Sequence, residues 1–194
     1  TRTGAIAWRA YSTGPDGDVL IDQRYTPPYA SDAGVDLGVS TWPANAWQRG
    51  GGNVWGFIAY DPALDLIFHG TANPGPWNPE QRPGDNKFTS GVFARHPDDG
   101  AAAWFYQWSP HDLHDYDGVN EMVLVELPER GATRGVLLHP DRNGYLYALE
   151  RASGRVLWAD AFVRVTTSHG VDLATGRLRY APDKEPRTGS TVRD

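Results

Sequence analysis

The chain has 194 residues, enough for one domain, and a formal net charge of -6. That balance lacks the basic surface that phosphate binding needs, so no nucleic-acid partner is expected. The absence of cysteine excludes disulfides and thiolate metal sites, and no apolar run is long enough to cross a membrane as a helix. With 22 glycines, 15 prolines, 8 tryptophans and 9 tyrosines, the composition suits a turn-rich β protein. The first residue is Thr1 and the chain has a single methionine, so it reads as a piece of a longer protein.

A repeat opens the chain. "TGAIAW" (Thr3 to Trp8) returns as "DGAAAW" (Asp99 to Trp104) and as "SGRVLW" (Ser153 to Trp158). Each places a glycine four residues before a tryptophan. Upstream, "ARHPDDG" and "ALERASG" both begin with alanine six residues before the glycine. Glycine supplies a tight hairpin turn, and the tryptophan on the outgoing strand can dock on a neighbouring sheet. The pattern predicts an all-β fold of propeller blades with tryptophan-docking repeats. Gly100 and Gly154 are 54 residues apart, about one four-stranded blade; Gly4 and Gly100 are 96 apart, which reads as two. "TGRLRY" (Thr175 to Tyr180) follows only 22 residues after Gly154 and reads as a loop.

Between these repeats, residues 11–53 and 70–87 are long, irregular and rich in Gly, Pro and Asn, as functional loops often are. Residues 53–70 hold two apolar runs around Asp61-Pro62, a predicted hairpin. Residues 87–108 hold a second, turning at Asp99-Gly100. Residues 134–162 predict three strands with turns at Asn143-Gly144 and Ser153-Gly154. No stretch has a helical period. The polar tail from Asp183 to Asp194 reads as mobile.

Four segments carry candidate chemistry. In "GGGNVWG" (Gly50 to Gly56) the glycines permit close backbone approach to a ligand. Trp55 is either a platform for a planar cofactor or a core residue beneath a glycine loop. Asn73, before Pro74, offers a neutral hard oxygen for a Ca²⁺-like ion or is a simple turn residue. In "HDLHDYDGVN" (His111 to Asn120), an extended backbone would put Asp115 and Asp117 on one side. Two such carboxylates repel unless a cation lies between them. A polar surface turn is the plain alternative, and His111 and His114 would suit a softer metal; the carboxylates are favoured. Arg142, beside Asn143-Gly144, could bond a carboxylate or a quinone oxygen, or pair with Asp141 on the surface.

In this order, "GGGNVWG", "GTANPGPWNPEQRPGDNK", "SPHDLHDYDGVNE" and "HPDRNGYLYALERASG", together with "WRAYSTGPD" near the start, resemble the pyrroloquinoline-quinone (PQQ) dependent methanol and alcohol dehydrogenases. The similarity covers essentially the whole chain. It implies one partial domain, residues 1–194, making about half of an eight-bladed β-propeller. It also implies oxidation of a primary alcohol of the methanol or ethanol class to the aldehyde. The Asp-Tyr-Asp triplet is similar to the lanthanide-using branch; the calcium-using branch has a small residue, commonly Ala, at the second acid. By that resemblance Trp55 is the floor for PQQ, Asn73 a metal ligand, Asp115 the catalytic base and a metal neighbour, and Asp117 the extra lanthanide ligand. Arg142 hydrogen-bonds the quinone. Asn53 stands where many relatives have a PQQ-bonding Thr. The resemblance further implies a c-type cytochrome electron acceptor, a periplasmic location, a homodimer of the complete protein and an inactive chain when isolated. Two alternatives stand beside it: a non-catalytic propeller scaffold, and a calcium-type enzyme of the same family.

Overall fold

A computed structural model describes residues 3–129 and 131–186. Two four-stranded antiparallel sheets dominate, each with its strands in sequence order. The first holds β1 (Ile58–Asp61), β2 (Leu66–Thr71), β3 (Gly91–Arg95) and β4 (Ala102–Gln107). The second holds β5 (Val123–Glu129), β6 (Ala132–Pro140), β7 (Tyr145–Glu150) and β8 (Val156–Ala161). A two-stranded sheet follows, β9 (Ser168–Asp172) and β10 (Arg177–Tyr180). The predicted hairpins therefore all form.

Strand alternation decides what each face buries. On β3 and β4, Val92, Ala94, Trp104 and Tyr106 face the second sheet and join Leu137, Tyr147 and Leu149 in the main core. The intervening Phe93 and Phe105 face the other way, into a smaller core with Val19 and Phe88. That face is covered by the irregular N-terminal segment. Within this segment are two single-turn helices, α1 (Asp16–Val19) and α2 (Leu37–Ser40). Four residues are too few to show a helical period, which is why neither was expected.

The repeat has a physical counterpart. A methyl group at Gly154 would lie 2.5 Å from the Trp104 ring, and one at Gly100 would overlap the Trp8 ring; φ is +72° and +75°. Trp8 Nε1 donates to Pro97 O at 2.8 Å and Trp104 Nε1 to Arg151 O at 3.0 Å. Both carbonyls lie three residues before the covered glycine. Each tryptophan thus docks by a ring face and an N–H at once.

Two expectations need correction. Trp8 docks directly on Gly100, so the 96-residue spacing spans one blade plus the long insertion, not two blades. "TGRLRY" is not a loop: its glycine closes the β9–β10 hairpin, with Gly176 N–H donating to Asp172 O at 2.7 Å. Gly176 is covered by the ring of Tyr29, and Tyr106 Oη donates to its carbonyl at 2.8 Å. An aromatic from the insertion replaces the tryptophan, so the repeat's spacing could not reveal it. Of the polar tail, Pro182–Lys184 forms one 3-10 turn, and residues 187–194 lie outside the described residues.

Candidate cofactor and metal site

The glycine segment runs antiparallel beside the end of β2. Gly75 N–H donates to Gly50 O at 2.7 Å, Gly52 N–H to Asn73 O at 3.0 Å, and Ala72 N–H to Asn53 O at 3.0 Å. A methyl group at Gly51 would lie 2.5 Å from Asn73 O. The close approach that Gly51 permits is to the protein's own backbone. It sets Asn53 beside Asn73. Trp55, two residues on, is 56% exposed, so it is not a core residue.

The acidic loop is held from within by a residue that sequence reasoning passed over. Asp112 is buried; its Oδ1 accepts from His114 N–H at 2.9 Å, and its Oδ2 from Tyr116 N–H at 2.7 Å and Ser90 Oγ at 3.2 Å. Burial pushes its carboxyl up to about 6, against the opposing pull of those bonds and of Arg82. Arg82, also buried, ties the loop to its neighbour: Nη2 donates to Asp112 O at 2.6 Å and Nε to Pro76 O at 2.7 Å. The signal in the sequence was local, since an Asp accepting from the N–H two residues on is an Asx turn.

Asp115 has φ +64° and is exposed. The expected extended backbone from Asp115 to Asp117 is therefore absent, and the two carboxylates are presented differently. Asp117 turns inward: Oδ1 accepts from Asn73 N–H at 3.2 Å and Oδ2 from Arg142 Nη1 at 2.7 Å. Gly118 N–H then donates to Thr71 O at 3.2 Å, and Gly70 and Gly118 press backbone to backbone where a methyl group would overlap.

Arg142 sits in the β6–β7 turn and pairs with Asp117, not with Asp141 as a surface turn would have it. Asp141 faces inward instead, 3.2 Å from His139 Nε2, and His139 stacks on Trp108 at 4.2 Å. The turn that carries Arg142 is thus anchored in the core.

Asn73, Asp117 and Arg142 form one bonded cluster from three chain segments, and Asn53 lies alongside, its carbonyl accepting from Ala72 N–H. Asp115 shares the loop, but its side chain makes no hydrogen bond or ion pair among the described residues, and the Asn73 amide oxygen is likewise without a hydrogen-bond donor there. His111 Nδ1 faces Gly84 O at 2.8 Å, and His114 packs by Tyr116 with ring centroids 5.2 Å apart. Among the described residues no three His, Cys, Asp or Glu side chains gather as a metal cluster. The segments carry two carboxylates, one of them paired with Arg142, and an amide oxygen, the donor type of a hard cation.

A family described as "PQQ: Glucose/ethanol/alcohol dehydrogenase, beta-propeller domain" matches residues 28–172. The chain belongs to this family. It is 45% identical over 188 residues to the lanthanide-dependent methanol dehydrogenase of Methylacidiphilum fumariolicum strain SolV, covering 96% of this chain and 31% of that protein. It is also 45% identical over 195 residues to methanol dehydrogenase [cytochrome c] subunit 1 of Methylorubrum extorquens, covering 98% of this chain and 30% of that protein. Among solved structures, a europium-containing methanol dehydrogenase superposes with a TM-score of 0.92 at 44% identity, over 97% of this chain and 33% of that one. This PQQ-family chain therefore spans about a third of the length of the relatives it matches, and its sheets are blades of a β-propeller.

Proposed function

We propose that the chain is part of a PQQ-dependent alcohol dehydrogenase of the lanthanide-using kind, which oxidises a small primary alcohol to the aldehyde. The observation that carries this reading is the cluster on Asp117. One carboxylate meets Asn73 and Arg142 together, two residues from the outward-facing Asp115. Asn73, Asp115 and Asp117 would hold the cation. A hard cation takes about six to eight oxygens, so the remaining ligands come from the rest of the complete protein, the cofactor or water. Trp55 would stack on PQQ, and Asn53 and Arg142 would hydrogen-bond it. When bound, PQQ and the cation supply the redox and Lewis-acid chemistry.

Asp115 takes the hydroxyl proton of the alcohol as general base. Its lone pairs are not engaged by the described residues, which leaves them open to a hydroxyl. Asp117 adds a second negative charge, matching the extra positive charge of a trivalent ion over Ca²⁺. The name of one relative, a lanthanide-dependent enzyme, supports this choice, and that of another supports a c-type cytochrome as electron acceptor. A periplasmic location and a homodimer follow from the same family reading.

The test uses the complete protein with PQQ and either La³⁺ or Ca²⁺ in dye-linked oxidation of methanol and ethanol. Higher turnover with La³⁺ is expected. Higher turnover with Ca²⁺ would identify a calcium-type enzyme. Failure to bind PQQ or either ion would leave a propeller scaffold. Residues 1–194 alone are expected to show no turnover.

A further inference from the structure

Asp115 holds a left-handed backbone conformation, which a non-glycine residue keeps only where its surroundings over-determine it. The surroundings here are mainly one side chain. The Asp112 carboxylate receives the N–H groups of His114 and Tyr116, which bracket the dipeptide His114–Asp115. Asp112 cannot drift, because Ser90 Oγ bonds its Oδ2 and Arg82 bonds its carbonyl. Next to it Leu113 is buried and pins the start of the turn.

We propose that Asp112 is a positioning residue that sets the reach of Asp115, acting through two peptide groups without touching substrate or cation. The inference rests on the proposed role of Asp115 as base and cation neighbour. The residue type fits the task. Two carboxylate oxygens serve three donors, whereas an asparagine would turn an NH₂ against one of the bracketing N–H groups. A buried carboxylate is costly, and a turn on the surface needs none. Here the carboxylate is 1% exposed while the residue it frames is exposed.

The experiment uses the complete protein and europium(III), whose luminescence decay reports the water molecules on the bound ion. In Asp112→Asn, the decay should shorten as Asp115 withdraws and water replaces it. Alcohol turnover should fall about 10- to 100-fold, the scale of a misplaced catalytic group, with less than about a threefold change in KM. Bound-PQQ absorption should be unchanged. In an Asp115→Asn background the same substitution should alter the decay no further; additive effects would show that Asp112 acts elsewhere and overturn the proposal. If Asp112→Asn does not fold, Ser90→Ala is read in the same way, since it removes one bond that holds the Asp112 carboxylate and leaves the sequence of the turn intact. A parental decay and kcat in that variant overturn the proposal. A parent that binds no europium sinks the reading of the site and this inference with it. A parent that binds europium, beside a folded Asp112→Asn protein indistinguishable from it, sinks the positioning role alone.

Discussion

At the blade junctions, Trp8 covers Gly100 and Trp104 covers Gly154, each with an indole N–H on the carbonyl three residues before the glycine. At the acidic loop, Gly70 meets Gly118, and Asp117 reaches back 44 residues to Asn73 and forward 25 to Arg142. Both regions use glycine to bring chain segments into contact. The junction is a repeated unit in which a large ring packs on a glycine, fully buried at Trp104 and half-buried at Trp8, so its worth is stability. The loop occurs once, and beside its buried Leu113 and Val119 it is built on polar contacts. Its contacts fix where polar atoms stand, so its worth is chemistry. Substitutions should separate along this line.

The largest effect is expected at the loop. Asp115→Asn in the complete enzyme should lower kcat by about 10²–10⁴, the usual loss for a general base, while PQQ stays bound. Metal content, the PQQ absorption spectrum and kcat measured on one preparation at saturating La³⁺ check this. A kcat within a few-fold of the parent at full loading would assign the base elsewhere. Next, Asp117→Ala should shift metal preference from La³⁺ towards Ca²⁺ by about tenfold or more, equivalent to 1.4 kcal/mol. The ratio of activities with the two ions measures it, and an unchanged ratio would remove Asp117 from the cation's surroundings.

At the junction the expected signature is inverted. Gly154→Ala forces a methyl group against the Trp104 ring at a positive φ, and overpacking of this kind costs on the order of 1–3 kcal/mol. Thermal inactivation should come at lower temperature with kcat and KM unchanged. A fall in kcat without loss of stability would break the comparison. The smallest effect concerns acid. Burial and the adjacent Arg95 lower the His69 pKa to about 4, from an ordinary 6.5. A base with a lowered folded pKa stabilises fully above its unfolded value, and that contribution is lost as pH falls towards the folded one. Between pH 6.5 and 5.5 this amounts to about 1 kcal/mol. His69→Gln can still accept from Arg95 and should flatten that part of the stability profile, as denaturant melts across pH would show.

The difference between the regions also explains what could be read from the sequence. The hairpin turns at Asp99-Gly100, Asn143-Gly144 and Ser153-Gly154 were legible because turn chemistry and strand alternation are local. The docking of Trp104 was legible because its motif repeats. The partner of Gly176 was not, because Tyr29 belongs to an insertion with no counterpart in the other blades. In the loop, the residue types at positions 73, 115, 117 and 142 pointed to hard-ion chemistry, and the fold brings three of them into one bonded cluster. The geometry of Asp115 was misread, because the i, i+2 rule holds only for an extended backbone. Its left-handed turn depends on Asp112, which is anchored by Ser90 and Arg82 at 22 and 30 residues' separation.

The pairing of Asp117 with Arg142 also bears on how the site discriminates among solutes. A lone carboxylate would gather whatever cation is most abundant. Here a guanidinium is tethered to it at 2.7 Å, so a cation binding at Asp117 as proposed would compete with an incumbent partner that cannot diffuse away. Monovalent ions match the incumbent's charge and gain nothing by replacing it. An ion of higher valence would attract the carboxylate more strongly and displace the arginine. The arginine side chain is about half exposed, so it can swing aside into water without disturbing the core-anchored turn beneath it. On the proposed reading of Asp117 as a cation ligand, the pair would set a threshold on ionic charge.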